Sequence, residues 1–488
     1  MPEVSEFPTN ASHVHIMGIG GTAMAALAGL LVQAGYTVTG SDANIVYPPM
    51  SEVLAKIGIK PMVGYHASNL NPAPDLVIVG NVIRAIYEEA QFLQQSSIPY
   101  MSFPSLLGAK FIGNKRSIVA AGTHGKTTTT SLLTWLLEAA EKGPGYLIGG
   151  AALNFGQPAA SGHGEYFVVE GDEYDTAFFD KGPKFLHYRP HTAIVTSIEF
   201  DHADIYRDLE HCQESFRKLA DIIPEDGCMV ARWDDDAVVN AVSHAKGDIR
   251  RYGLNQDWDG EIIGFDSDAG QMIFRVLKSG KEWGVFQSIM AGEHNLYNQV
   301  ACCAALDFYG FSPSDLQHGF RSFRGIKRRQ ECIGEAFDVS VIDDFAHHPT
   351  AVRLTLGGLR LRFGERRIWA IFEPRSATAR RKTHQDEYAD SFSDADLVVI
   401  APPYDQSRIP KAERMNADEL VAQINATGTE AYLWGNNGND ADDIADQIAS
   451  TVLANVQPLD VIAVMSNGGF GGLHHKLLTG LKEKETTK

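Results

Sequence analysis

Gly122-Thr123-His124-Gly125-Lys126-Thr127-Thr128 brings an ammonium group, hydroxyls and a run of backbone N–H groups within a few residues of one another. That combination can hold a polyphosphate. The N–H groups and the positive end of a helix dipole face the anion, the lysine reaches the terminal phosphates, and the first threonine can sit on Mg²⁺. The strict pattern has glycine where this chain has Ala120. A glycine-rich turn in an ordinary βα unit is the plainer reading, but Gly-Lys-Thr with these flanks is rare by chance.

Glu170-Gly171-Asp172-Glu173-Tyr174-Asp175 sets four carboxylates in six residues. Such a cluster is costly unless cations relieve it. It follows the apolar run 166–169, and ligands of open α/β sheets bind at the C-terminal ends of strands. A Mg²⁺ site beside the phosphate loop accounts for Glu170. Asp234-Asp235-Asp236 and the acidic run 440–443 lack that context and read as solvated loops. His202, in Glu199-Phe200-Asp201-His202, follows the run 192–197. Spacing alone leaves it between a second Mg²⁺ ligand, a group orienting an acyl substrate, and a structural histidine.

Further along, Asn295 and Asn298 share a helix face at i, i+3. Capping explains one of them, and the second suggests an amide contact to a ligand. Lys327-Arg328-Arg329 is either a solvated linker or the source of an arginine delivered across a domain boundary onto a γ-phosphate. Asp344-Phe345-Ala346-His347-His348-Pro349 follows a strand-like run, and Pro349 suits the first turn of a helix. Upstream, Gly18-Ile19-Gly20-Gly21-Thr22-Ala23 reads as G-x-G-x-x-A between a strand and a helix. Ser41-Asp42 ends the next strand, 19 residues beyond Ala23. An acid there holds a ribose or sugar hydroxyl, so the pair suits a dinucleotide or a UDP-linked ligand; a packing turn is the plainer alternative.

Three α/β segments must position these groups, each opening with its own strand and glycine turn. Strands are expected at 13–18, 36–39 and 75–80, then at 117–121, 166–170 and 192–197, then at 339–342, 368–372, 397–400 and 461–465. Helices are expected at 24–33, at 126–142 and after Asn295, and the first segment closes in a polar, glycine-containing stretch at 108–115. Alternation in 250–290 suggests a small antiparallel insertion, and 482–488 reads as a frayed charged tail. The pattern implies doubly wound parallel sheets in three domains, 1–112, 113–325 and 326–488. At 488 residues the chain is too long for one core, and a net charge of −19 argues against a nucleic-acid partner. The five cysteines show no metal spacing and read as reduced thiols. Residues 1–10 lack a secretion signal and no apolar run suits a membrane span, so the expected place is the cytoplasm.

In this order the motifs resemble the Mur ligase family of peptidoglycan synthesis, over essentially the whole chain. The resemblance implies an N-terminal Rossmann-like UDP-binding domain, a central P-loop ATPase domain and a C-terminal Rossmann-like domain. It implies that ATP and Mg²⁺ join a carboxylate on a UDP-sugar to an amine through an acyl phosphate. Family loops also tolerate alanine at position 120. The implied roles follow the motifs. Gly122 to Thr128, with Lys126, Asn295, Asn298 and Arg329, bind ATP. Thr127, Glu170 and His202 bind metal. Gly18, Gly20, Gly21, Thr22, Ser41 and Asp42 bind the UDP-sugar. Lys126, Glu170, His202, Arg329 and Asp344 act in catalysis, and Phe345 and His348 line the amine side.

Within the family the chain resembles the alanine-adding ligase, but it has Phe345-Ala346 where that enzyme has tyrosine-glycine. Together with Tyr174, 176–181 and 465–475, this looks like members that attach a salvaged tripeptide, L-alanyl-γ-D-glutamyl-meso-diaminopimelate, to UDP-N-acetylmuramate. Phe345 is expected to form an apolar wall with room for a longer peptide. The alternatives are the alanine-adding ligase itself, a folylpolyglutamate synthase-like ligase, a nicotinamide dehydrogenase, and a nucleotide-binding regulator that does not catalyse.

Overall fold

The computed structural model describes residues 4–47, 50–200, 205–435 and 440–487. Three separate sheets carry the fold. Five parallel strands form the first, in which His13–Met17 lies between Thr37–Asp42 and Leu76–Val79. Leu76–Val79 is a continuous apolar run because helices cover both faces of a parallel sheet, and all four residues are buried. The helix Thr22–Gln33 starts two residues earlier than its periodicity suggests.

The central sheet has ten strands. Arg116–Ala121 lies between Tyr166–Gly171 and Pro190–Val195, all parallel, with Ala121 opposite both Gly171 and Val195. The chain therefore leaves three neighbouring strands at one edge, at Gly122, Asp172 and Thr196. Trp258–Asp266, Gln271–Lys278 and Lys281–Ser288 extend the sheet as an antiparallel meander, the insertion expected from the alternation. The helix after the phosphate loop spans Lys126–Ala139 and buries Leu132, Leu133, Leu136 and Leu137. It ends three residues before the expected stop, and the chain leaves through a left-handed Glu141 at φ 60°.

The third sheet has six strands, with Val339–Asp344 antiparallel to Glu331–Ala336 and parallel to Val461–Met465. Met465 is opposite both Asp344 and Phe372, so Phe345, Glu373 and Ser466 leave the sheet side by side. Two expectations fail here and upstream. The C-terminal tail is helix, Leu473–Thr487, because Leu473, Leu477 and Leu481 give it a fully buried stripe. The stretch taken as a polar close to the first segment is a buried helical turn, Leu107–Ile112, with Leu107, Gly108, Phe111 and Ile112 inside.

Adjacent segments pack through a few specific contacts. Phe179 meets Tyr100 of the first segment edge-on at 5.1 Å, and His187 bridges Asp180 (2.7 Å) and Ser105 (3.1 Å). The run 176–181 thus fastens the first two sheets together. Between the second and third, Lys327 N donates to Ala151 O at 3.0 Å. A Cβ on Gly292, which is at φ +101°, would stand 2.9 Å from the Gly358 Cα. Only glycine permits that approach of the helices Glu293–Phe308 and Pro349–Phe363. Among the described residues no helix is long and apolar enough to cross a membrane.

Candidate functional site

The phosphate loop is built by backbone geometry. Gly122 sits at φ +129°, and a side chain there would collide with Thr196 Oγ1. Gly125 sits at φ +83°, where a side chain would meet the Asn298 amide at 2.8 Å. Both glycines let the loop fold back over the strand edge, and Gly125 caps the helix that starts at Lys126. Asn298 therefore lies directly against the loop. Asn295, one turn earlier, donates from Nδ2 to Ala291 O at 2.9 Å and holds the start of its own helix.

Lys126 Nζ curls back to donate to Gly122 O at 2.6 Å and faces Glu173 Oε2 at 3.1 Å. Burial works against its charge, but Glu173, Asp172 and Glu170 outweigh burial and hold the ammonium above its ordinary value. The carboxylate against the lysine is Glu173, not Glu170. Glu170 accepts from Thr127 Oγ1 at 3.1 Å and from Gly149 N at 2.6 Å. Burial and the neighbouring Asp172 push its carboxyl above the usual range, while these donors and Lys126 oppose the rise. Asp172 goes the other way. Burial would raise it, but Lys184 at 2.8 Å and Lys126 hold it low. The acidic string thus divides: Glu173 is tied to Lys126, Asp172 to Lys184 and Asp175 to Lys181 (2.8 Å), and Glu170 accepts from the Thr127 hydroxyl. A carboxylate and a hydroxyl at this spacing, with only oxygen donors, fit a hard divalent cation such as Mg²⁺. His202 lies outside the described residues.

One cleft of about 1280 Å³ runs from this loop to the third sheet and is lined by Lys126, Asn298, Arg329, Asp344, Phe345 and His348 among others. The linker that enters the third sheet is bent, with Arg328 at φ 61° and Gln330 at φ 48°. Left-handed residues on both sides present Arg329 between them. Asp344 holds that bend. Its carboxylate accepts from Gln330 N (2.7 Å), Ala346 N (2.7 Å) and Thr355 Oγ1 (3.2 Å). Burial raises its pKa, against the pull of Arg329 and these donors. With both oxygens engaged, Asp344 positions the linker and has little capacity left to take a substrate proton.

Phe345 is not a bare apolar wall. The guanidiniums of Arg328 and Arg329 each lie 5.1 Å from its ring centroid. Arg328 is further held by Ser466 O (2.5 Å) and Gly468 O (2.7 Å). The sequence showed the arginines and the ring but not their contact, which depends on the φ of the linker. His294, buried beside Arg329 and His124, is held down to about 4 by burial and those charges, so it is neutral. Arg232, also on the cleft wall, lies outside every motif in the sequence. Its guanidinium lies 3.9 Å from the Tyr297 ring centroid and pairs with Asp234, which also accepts from Leu254 N at 2.9 Å. Asp235 caps the helix Asp236–Val242, and Asp440 caps Ala441–Asn455. These acidic runs are largely exposed, as expected, and they also cap helices and pair with neighbours.

A second pocket of about 470 Å³ lies at the first sheet, lined by Gly18, Gly20, Gly21, Asp42, Tyr65 and Tyr87 among others. Asp42 Oδ2 accepts from Gly20 N at 2.9 Å and so pins the glycine loop. Tyr65 and Tyr87 stack at 5.0 Å. Ser41 turns away: it is buried and donates to Glu89 Oε2 at 2.8 Å, in a network with His15. Thr22 is exposed and does not line the pocket.

Comparison with known proteins decides the family. The Mur ligase family catalytic domain matches residues 13–112, the Mur ligase middle domain 120–306, and the Mur ligase glutamate ligase domain 328–468. The chain belongs to the Mur ligase family. Its members are ATP-dependent amide-bond ligases. The chain is 41% identical, over 96% of its length and 98% of the relative's, to the UDP-N-acetylmuramate–L-alanyl-γ-D-glutamyl-meso-2,6-diaminoheptandioate ligase of Escherichia coli K12. It is 33% identical, over 94% of both chains, to the UDP-N-acetylmuramate–L-alanine ligase of Acetivibrio thermocellus. Among solved structures, a murein peptide ligase from Psychrobacter arcticus matches at 35% identity and TM-score 0.66, covering 96% of this chain and 99% of that one. The UDP-N-acetylmuramate–alanine ligase of Thermotoga maritima shares the fold at TM-score 0.77 and 23% identity, over 98% of this chain and 100% of that one.

Proposed function

We propose that this enzyme uses ATP to join the lactyl carboxylate of UDP-N-acetylmuramate to the α-amine of L-alanyl-γ-D-glutamyl-meso-diaminopimelate, in the cytoplasm, returning wall fragments to synthesis. The observation that carries the amine assignment is the 41% identity over 96% of the chain to a ligase named for that tripeptide, against 33% to an alanine ligase. The test is phosphate release with UDP-N-acetylmuramate and a panel of amines, with product mass. Tripeptide is expected to support turnover at a kcat/KM far above that of free L-alanine. Preference for alanine would make this the alanine-adding enzyme, and turnover indifferent to any amine would remove the ligase reading.

In this reading the loop N–H groups and Lys126 hold the ATP phosphates, and Asn298 supports the loop from behind. Thr127 and Glu170 would hold Mg²⁺, with His202 a candidate for a second ion; bound there, the cation neutralises phosphate charge and aligns the γ-phosphate. The lactyl carboxylate attacks the γ-phosphorus and ADP leaves, giving an acyl phosphate. Arg329 offsets charge developing on the transferred group. The tripeptide amine then attacks the acyl carbon and inorganic phosphate departs. Gly18, Gly20 and Gly21 bring backbone N–H groups to the pyrophosphate of the UDP-sugar. Asp42→Ala frees the loop it pins. The expected result is about a ten-fold rise in KM for UDP-N-acetylmuramate at nearly constant kcat, the size of one hydrogen bond to a charged group. A fall in kcat with KM unchanged would count against a binding role.

The two arginines on Phe345 alter what that residue is expected to do. Phe345→Tyr keeps an aromatic face for them and adds a hydroxyl toward the amine, so selectivity should shift toward L-alanine by about ten-fold in relative kcat/KM. Phe345→Leu removes the face, and both amines should lose rate together, by about 1 kcal/mol. Unchanged relative kcat/KM in the tyrosine variant would show that Phe345 does not select the amine.

A further inference from the structure

One cluster of metal-ligating side chains spans two of the three sheets, on the wall of the cleft and apart from the Thr127–Glu170 oxygen pair. His124 comes from the phosphate loop, Glu199 from the segment after Pro190–Val195, and His348 from the N-cap of Pro349–Phe363. Glu199 Oε2 lies 3.5 Å from His124 Nε2 and 3.7 Å from His348 Nδ1, and one ligand atom from each residue falls within 4.8 Å of the others. These separations are at or beyond the limit for hydrogen bonds. They are close to what a shared ion needs, because donors at ~2.0–2.2 Å from a tetrahedral metal stand about 3.4 Å apart.

Hydrogen bonds and ring packing hold the three residues in place, and the Glu199 carboxylate is itself oriented by a hydroxyl. Thr350 Oγ1 donates to Glu199 Oε2 at 2.9 Å, and Glu199 N donates to Thr123 Oγ1 at 2.8 Å. His124 N donates to Ser197 Oγ at 3.1 Å. His348 is buried, with its ring edge-on to His384 at 4.9 Å, and His384 is fixed in turn by Glu387 at 2.9 Å.

We propose that His124, Glu199 and His348 form a three-ligand site for a divalent cation of the zinc class, with its fourth position open to the cleft. Two imidazoles and one carboxylate suit such an ion, whereas the oxygen pair Thr127 and Glu170 suits Mg²⁺. The two sites are therefore chemically distinct. Two ligands come from the central sheet and one from the third, so the ion favours the arrangement in which those sheets are docked.

The test uses Co²⁺ as the probe, titrated into the metal-stripped full chain with excess Mg²⁺ and without nucleotide, UDP-sugar or amine. Omitting the substrates makes the result independent of the proposed ligase reaction. Tetrahedral Co²⁺ absorbs strongly in the visible and octahedral Co²⁺ weakly, so the spectrum reports geometry as well as binding. The expected result is one strongly absorbing Co²⁺ per chain, displaced by Zn²⁺. Binding should weaken at least about ten-fold in His348→Ala and in Glu199→Gln, as for lost ligands or their supports. It should persist in Glu170→Gln and in His474→Ala, the latter removing an adjacent histidine pair whose rings lie 4.4 Å apart. The near-isosteric Glu199→Gln, checked by circular dichroism, keeps the test decisive if His348→Ala fails to fold. A weak octahedral spectrum, a band that survives both ligand variants, or loss of the band in Glu170→Gln would each overturn the site.

Discussion

Replacing Lys126 by methionine is expected to cut ATP-dependent phosphate release by about 10³-fold, the scale of one preorganised charge removed from a developing anion. The same change strands Glu173, whose side chain is only 5% exposed and whose cation partner is Lys126 at 3.1 Å. Breaking one side of such a buried pair costs about 3–5 kcal/mol of stability. The two effects can be separated. Lys126→Met with Glu173→Gln removes both charges, so thermal stability should return toward that of the parent while turnover stays lost. Recovery of turnover in the double variant would mean that the lysine serves the fold and not the phosphate. Glu173→Gln alone should fold and turn over, since an incoming phosphate replaces that carboxylate as the lysine's partner.

Arg329→Ala is expected to lower kcat by about 10³-fold with a much smaller change in KM for ATP, as for an arginine that meets charge only in the transition state. Its neighbour cannot stand in for it. Arg328 is committed to Ser466 O and Gly468 O and faces Asp343 at 3.6 Å, whereas the Arg329 side chain makes no hydrogen bond among the described residues. Arg328→Ala should therefore cost stability at the turn 466–468 and spare more of the rate. A larger kcat loss in Arg328→Ala than in Arg329→Ala would reverse the assignment. Asp344→Asn supports the comparison. It keeps an acceptor for Gln330 N, so it should lose less rate than Asp344→Ala if its role is to hold the bend.

What the sequence disclosed were features made by neighbours in the chain. The phosphate loop was legible because strand, glycines, lysine and helix follow one another, and the glycines at 122 and 125 are there for φ values only glycine takes readily. Strands such as Ile368–Phe372 and Val461–Met465 were legible because both faces are buried and the apolar run is unbroken. What stayed hidden depends on which way side chains turn. Lys126 finds Glu173 across 47 residues of chain, although Glu170 occupies the same short acidic string. Ser41 and Asp42 are adjacent, yet one turns inward to Glu89 and the other outward to Gly20 N, the alternation a strand imposes. The arginine contacts to Phe345 follow from two left-handed residues in the linker, which no composition rule marks. The tail read as frayed because its charges are plain in the sequence, while the leucine stripe that docks it begins nine residues earlier, at Leu473.

The reaction is tested most directly by following oxygen. UDP-N-acetylmuramate labelled with ¹⁸O in both lactyl carboxylate oxygens is turned over with ATP and the tripeptide, and the released phosphate is weighed. If the carboxylate is activated on the γ-phosphate before the amine attacks, each phosphate carries one ¹⁸O and the amide product keeps the other. Unlabelled phosphate, with both labels retained on the sugar or lost to water, would contradict the account.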